Sequence, residues 1–297
     1  MKDKVVNTTR CDNVWCFFLL AYTLSWTFWI PASLLRQESS ALPIFVLYLL
    51  GGFGPSIAGV IMIDRSQDKI GQRDFLRRSF SFKLIGGRWY ALILLVFPVF
   101  AILSVLLYLL AEGAMPSIPS LTEIGTQPIR LLFLPIIAIQ VIITGPLSEE
   151  IGWRGLALDK LQAKWSSLVA SLTLGLFWSL WHLPLFFLKN NLYYEWGFGT
   201  VAFWLFLLRM PMLSLLMTWV YNNNQRSILS AILMHFTFNF TFGFFQPAPV
   251  LLHLFVTTVF CVAGVVVAIM WGPKTLARQK RTVLTNDQVH RSEAAYR

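Results

Sequence analysis

The sequence predicts an all-α, polytopic transmembrane helix bundle of about eight spanning helices, with both termini cytoplasmic. Three observations carry this. Charged residues are 13% of the 297-residue chain while the apolar set reaches 56%. A typical soluble domain holds roughly 25% charged residues; so few charges cannot cover a soluble surface, and so much apolar content excludes disorder. The apolar residues fall into unbroken runs near the ~20 residues that a bilayer core requires. Finally, the basic residues gather in alternate connections.

The first run, 15–35, follows a polar N-terminal stretch and is too long for a signal-peptide core, so it reads as a retained anchor. Run 42–63 follows. A basic connection, 65–88, then carries Ile70, Phe75, Leu76 and Phe80 among its charges, which predicts a short amphipathic helix on the membrane surface. Runs 89–111, 131–147, 168–188, 198–221, 228–245 and 250–271 complete the set. They are continuous rather than alternating, and in lipid such runs satisfy their backbone as helices. Pro31, Pro55, Pro98, Pro135, Pro146, Pro184 and Pro211 lie inside or at the edges of the runs and predict kinks. Residues 1–297 form a single integral membrane domain, ending in a basic cytoplasmic tail, 272–297.

The chain has 24 Lys and Arg against 14 Asp and Glu, a net charge of +10. With the N-terminus inside, twenty of the 24 basic residues fall on the cytoplasmic side. Arg36, Arg130 and Lys189 fall outside, and Arg209 lies within a run. This is the positive-inside pattern. The inner charges are spread over five stretches with no compact patch, so the basic balance points to anionic headgroups and away from nucleic acid. Cys11, Cys16 and Cys261 show no metal-like pairing, and the Asn7-Thr8-Thr9 sequon lies on the predicted inner side.

Ionisable side chains inside lipid are costly, so each one within a run is a candidate for function. Glu149, Glu150 and Arg154 close the fourth run. On a helix Glu150 and Arg154 are i,i+4 neighbours able to pair, and Glu149 turns ~100° away toward another helix. The plainer reading is a helix end at the interface with ordinary charges. In the fifth run Trp178 and His182 share a face, as do His235 and Asn239 in the seventh; structural hydrogen bonds between helices would explain either pair alone. Taken by run length and a rise of 1.5 Å per residue, the depths of the three groups differ by up to about 18 Å. They agree only if the fifth helix begins before Leu168 or the fourth before Leu131. Arg209 fits no pattern; it snorkels or pairs with a carboxylate in the bundle. His253 stands near the outer end of the last run and was not expected at the site.

The order Glu-Glu-x-x-x-Arg, aromatic-x-x-x-His, His-x-x-x-Asn resembles the CAAX prenyl protease and bacteriocin-processing (CPBP, or ABI) intramembrane peptidases over a core of residues 131–245. Glu149, Glu150 and Arg154 match the first motif, His182 the second, His235 and Asn239 the third. Trp178 stands where the family usually has Phe, with Phe177 adjacent, a departure that bears on pocket shape.

The resemblance implies an intramembrane endopeptidase. Glu149 would act as general base with His182 sharing the water, His235 and Asn239 would hold the oxyanion, and Glu150 and Arg154 would orient them. Trp178 would line the substrate pocket, and, since such proteases act near C-termini, Arg209 could bind a substrate C-terminal carboxylate. A second chemistry makes Glu149, His182 and His235 ligands of a zinc, two histidines and a carboxylate being a credible catalytic set. The expected partners are a membrane-anchored protein or peptide and the lipid bilayer. The expected location is a bacterial cell membrane with the active site toward the cytoplasmic side. A non-catalytic peptide-binding or bacteriocin-immunity factor, or a proton-coupled transporter, is the alternative. Against a transporter stand the absence of repeat symmetry and the placement of each motif pair on one unbroken helical face.

Overall fold

The computed structural model describes residues 13–35, 41–118, 126–246 and 248–278; the Asn7-Thr8-Thr9 sequon, Cys11 and the basic tail beyond Arg278 lie outside them. Among the described residues the regular structure is helical. Seven stretches are long and apolar enough to cross a membrane: Val14–Leu34, Leu42–Ser66, Gly87–Glu112, Leu131–Gln162, Ser167–Phe187, Val201–Asn223 and Val250–Trp271. Ile228–Gly243 is apolar but shorter. The protein is an integral, multi-pass membrane protein, and each of the eight expected runs forms helix.

Local chemistry sets the element ends. Helix α1 (Val14–Leu34) is capped by Asn13, whose side chain accepts from the Trp15 amide. The second span is two helices, α2 (Leu42–Gly52) and α3 (Gly54–Ser66), divided just before Pro55, which has no N–H to continue the ladder. Asp68 caps α4 (Lys69–Phe80) by accepting from Gly71 N, so a helix does form in the basic connection. It buries Phe75 and Arg78 and leaves Ile70, Leu76 and Phe80 exposed. Helix α5 (Gly87–Glu112) follows.

The fourth span departs from expectation. Helix α6 (Leu134–Ile142) passes through a π turn, Ile143–Leu147, into α7 (Ser148–Gly152). A second π turn, Trp153–Ala157, leads into α8 (Leu158–Gln162). The run does not end at residue 147, and the helix-end reading of Glu149 and Glu150 fails: both carboxylates are buried within a longer helix. Pro146, inside the first π turn, lacks the amide for an α ladder, and the wider turn absorbs the defect.

Helix α9 (Ser167–Trp181) gives way to a 3₁₀ turn, Leu183–Phe187, at Pro184, and a short α10 (Leu192–Trp196) leads to α11 (Val201–Asn223). Helices α12 (Ile228–Gly243) and α13 (Val250–Trp271) close the chain. Helix α11 is apolar around most of its girth and packs on α9, α12 and α13. A helix apolar all round belongs in a core. The helices approach closely where side chains are missing. A Cβ on Gly175 of α9 would lie 2.4 Å from Pro211 Cα, and one on Gly152 of α7 would lie 2.1 Å from the Pro55 carbonyl oxygen.

Polar contacts fix the helix starts at the basic end, and with them the depths. Asp159 of α8 pairs with Arg226, just before α12, and with the buried Arg78 of α4. Tyr221 donates to Asp159 and accepts from Arg78 at 2.8 Å. Ser167 donates to Gln162 at 2.6 Å. Helices α9 and α12 thus begin level with the end of the fourth span. Counted along each helix at 1.5 Å per residue, Glu149 lies ~20 Å from Gln162, His182 ~22 Å from Ser167 and His235 ~10 Å from Ile228. The later end of the fourth helix brings Glu149 close to the depth of His182, and α12 starts on a buried Ser227.

Candidate active site

Glu149, His182, His235 and Asn239 line one cavity of about 470 Å³. Each is positioned by its own element. Helix α7, framed by the two π turns, presents Glu149 and Glu150 to different neighbours. Glu149 is held by Trp178, whose indole Nε1–H donates to Oε2 at 2.6 Å. A phenyl ring at position 178 would have no such donor. Phe177 stacks on Phe18 at 4.3 Å between ring centres, on another side of α9.

Glu150 turns to different partners. Its Oε1 accepts from Arg154 at 2.8 Å and lies 2.9 Å from His235 Nδ1. Glu150 and Arg154 are fully buried, and the Arg154 guanidinium lies 4.6 Å from the Trp178 ring centre. One carboxylate thus serves an arginine and a histidine. The acceptor on Glu150 makes His235 Nδ1 the donor, leaving Nε2 for the Asn239 amide, which is 3.1 Å away.

His182 closes α9. Its Nδ1 is 2.8 Å from the Trp178 carbonyl oxygen, which can only accept, so Nδ1 carries the proton and Nε2 is free as an acceptor. Pro184 ends the helix two residues later and leaves the imidazole at its terminus.

Gly145, in the first π turn, marks where these groups meet. A Cβ there would stand 2.7 Å from Asn239 Nδ2, 3.8 Å from Glu149 Oε1 and 3.8 Å from His235 Nε2. Sequence reasoning did not single out this glycine, because the π turn that aims it inward has no simple pattern. It also missed Tyr193, Trp196 and His253, which line the same cavity together with Arg209. The signal available for His253 was that of Arg209, an ionisable group within an apolar run. Tyr193 is outside the spans. Burial raises its hydroxyl well above the usual value, with Tyr48 and Glu149 adding and Arg209 opposing, so it stays a neutral O–H.

A zinc bound as expected would need Glu149, His182 and His235 to converge. Among the described residues no three His, Cys, Asp or Glu side chains form a group able to hold a metal ion. In this arrangement Glu149 Oε2 is engaged by Trp178 and His235 Nε2 by Asn239.

A polytopic helical bundle with a buried cavity lined by a carboxylate, two histidines and an amide defines a membrane enzyme with its polar site inside the bundle. The sequence model of the Type II CAAX prenyl endopeptidase Rce1-like family matches residues 131–241. The CAAX prenyl protease 2 of Methanococcus maripaludis is 32% identical over 226 residues, which are 75% of this chain and 81% of that protein. The chain belongs to the CAAX prenyl protease (CPBP) family of intramembrane endopeptidases.

Proposed function

We propose that the protein hydrolyses a peptide bond of a membrane-anchored protein or peptide, with Glu149 as general base toward a water in the cavity. The observation that carries this reading is the meeting of Glu149 Oε1, His235 Nε2 and Asn239 Nδ2 within 4 Å of one point beside Gly145. With Oε2 fixed by Trp178, Oε1 is the oxygen left to take a proton. The free His182 Nε2 accepts a second hydrogen bond from the water and orients it. As the water oxygen attacks the scissile carbonyl, its proton passes to Glu149. Collapse of the tetrahedral intermediate breaks the C–N bond, and Glu149 returns the proton to the departing amine.

Negative charge on the carbonyl oxygen is met by an Asn239 amide N–H. His235, held at Nδ1 by Glu150, stands beside it with Nε2 toward the Asn239 amide. Arg154 donates to Glu150 and fixes its position, and Trp178 forms a wall against the substrate as well as holding Glu149.

The name of the M. maripaludis relative points to prenylated CAAX proteins; for this chain the substrate class we assign is a lipid-anchored polypeptide, and the location a prokaryotic cell membrane. Purified protein, Glu149→Gln and His182→Ala would be given a panel of lipid-anchored peptides, each with and without chelator. Cleavage that survives chelator and is lost in both variants is the expected result. Background-level cleavage by all three proteins overturns the protease reading for that panel. Loss on chelation, restored by zinc, would establish the zinc expectation with Glu149, His182 and His235 as ligands.

A further inference from the structure

Several polar side chains around the cavity are committed to partners within the protein: Trp178 holds Glu149, Glu150 holds His235, and His235 holds the Asn239 amide. Tyrosine hydroxyls elsewhere in the bundle are committed too. Tyr22 donates to the Phe177 carbonyl, Tyr90 to the Phe82 carbonyl and Tyr221 to Asp159. Tyr48 and Tyr193 line the cavity, and among the described residues neither hydroxyl makes a hydrogen bond. A phenol removed from bulk water ordinarily finds a partner, so a hydroxyl left open on a cavity is available to what enters it.

Of the two, Tyr193 stands directly beside the chemistry. Its ring centre is 5.0 Å from that of His182. Tyr48 meets His182 through Trp29, on which both rings stack at 6.4 and 6.5 Å. The Tyr193 ring is clamped by Phe186, Trp196 and Phe206, each 5.4 Å away, and its backbone amide donates to the Asn191 side chain at 3.0 Å. The hydroxyl is therefore presented by a fixed ring, and little freedom is lost when it takes a partner. Because it stays protonated, it can donate.

The ligand decides what it donates to. A peptide drawn among these rings loses the water on its backbone carbonyls, and each carbonyl left bare is costly. Asn239 meets the scissile carbonyl. Extended chain covers ~3.3–3.6 Å per residue, so the 5.0 Å from His182 to Tyr193 spans roughly one to two residues. The carbonyl opposite Tyr193 thus belongs to a peptide group beside the scissile one.

We propose that the Tyr193 hydroxyl donates a hydrogen bond to a substrate backbone carbonyl roughly one to two residues from the scissile bond, a contact that reads backbone and is indifferent to side chain. This rests on the protease reading of the Glu149 site. The test uses the full chain carrying Glu149→Gln, which holds peptide without cutting it, with and without Tyr193→Phe. The probes are a fluorescent lipid-anchored peptide and a series in which one peptide group at a time, within two residues of the scissile bond on either side, is replaced by a trans-alkene. Loss of one neutral hydrogen bond predicts that Tyr193→Phe binds the parent peptide roughly 5- to 30-fold more weakly. One alkene peptide should show the same loss on the protein that keeps Tyr193, and no further loss on Tyr193→Phe. Equal binding of the parent peptide by both proteins overturns the proposal. So does a loss on Tyr193→Phe that is the same for every peptide of the series, which is what a purely structural role predicts. If no alkene weakens binding to the protein that keeps Tyr193, the proposal also falls, and this comparison needs no second variant to fold. Failure of the wild type to cut the parent peptide would count against the protease reading instead, while the binding comparison still decides the role of Tyr193.

Discussion

Trp178 does work that a phenylalanine could not. Its ring packs against Arg154 and the His235 ring, while its N–H fixes one oxygen of Glu149. Trp178→Phe keeps an aromatic wall and removes the hydrogen bond. A bond to an ionised group contributes ~1.5–3 kcal/mol, so kcat should fall roughly 10- to 100-fold. The thermal midpoint should fall as well, because Glu149 loses its donor and the phenyl ring leaves part of the indole's space empty. Steady-state kinetics beside a melting curve checks both. The i,i+4 pairing of Glu150 with Arg154 could be read from spacing, as could the turning of Glu149 to another helix. The engagement of Glu150 with His235 could not, since it depends on how α7 and α12 cross.

At the scale of the element, the fourth span is where pattern and structure part. Apolar run length marked 131–147, but the helix goes on to Gln162 because its polar residues are satisfied inside the bundle and two π turns carry it past Pro146 and Gly152. Hydropathy cannot see either effect. For the same reason the buried start of α12 was hidden, and depths counted from run ends were misjudged. Two glycines of this span separate activity from folding. Gly145→Ala presses on the movable Asn239 amide and should cut kcat at least 10-fold with little loss of stability. Gly152→Ala presses on the Pro55 carbonyl, a backbone atom, and should destabilise by ~1–3 kcal/mol. Activity assays and thermal unfolding in the same detergent distinguish the two.

For the whole molecule, the fold class and the residues of the three motifs were legible because ionisable groups are rare in lipid and stand out. The shared cavity, with Arg209 and His253 in it, was not, since it is made by packing among helices far apart in the chain, from Trp29 to Val256. Its position also bears on sidedness. The basic residues cluster around Arg78, Asp159 and Arg226, whereas the cavity runs from the middle of the bundle toward Asn191, Trp196 and Gln246 at the other end. If the basic end is cytoplasmic, the cavity reaches toward the outer side, and the expectation of a cytoplasm-facing site does not hold with it. Single cysteines at Arg73 and Lys189, both exposed, test this in a cysteine-free background. The positive-inside pattern predicts that an impermeant maleimide labels Lys189→Cys in intact cells and Arg73→Cys only after permeabilisation. The reverse labelling would turn the molecule over.

The measurement that bears most directly on the central claim is single-turnover cleavage of one lipid-anchored peptide by wild type and Glu149→Gln in identical vesicles. Loss of the general base predicts a cleavage step roughly 10²- to 10⁴-fold slower, with peptide binding unchanged. Equal cleavage rates would contradict the assignment of Glu149 as the base.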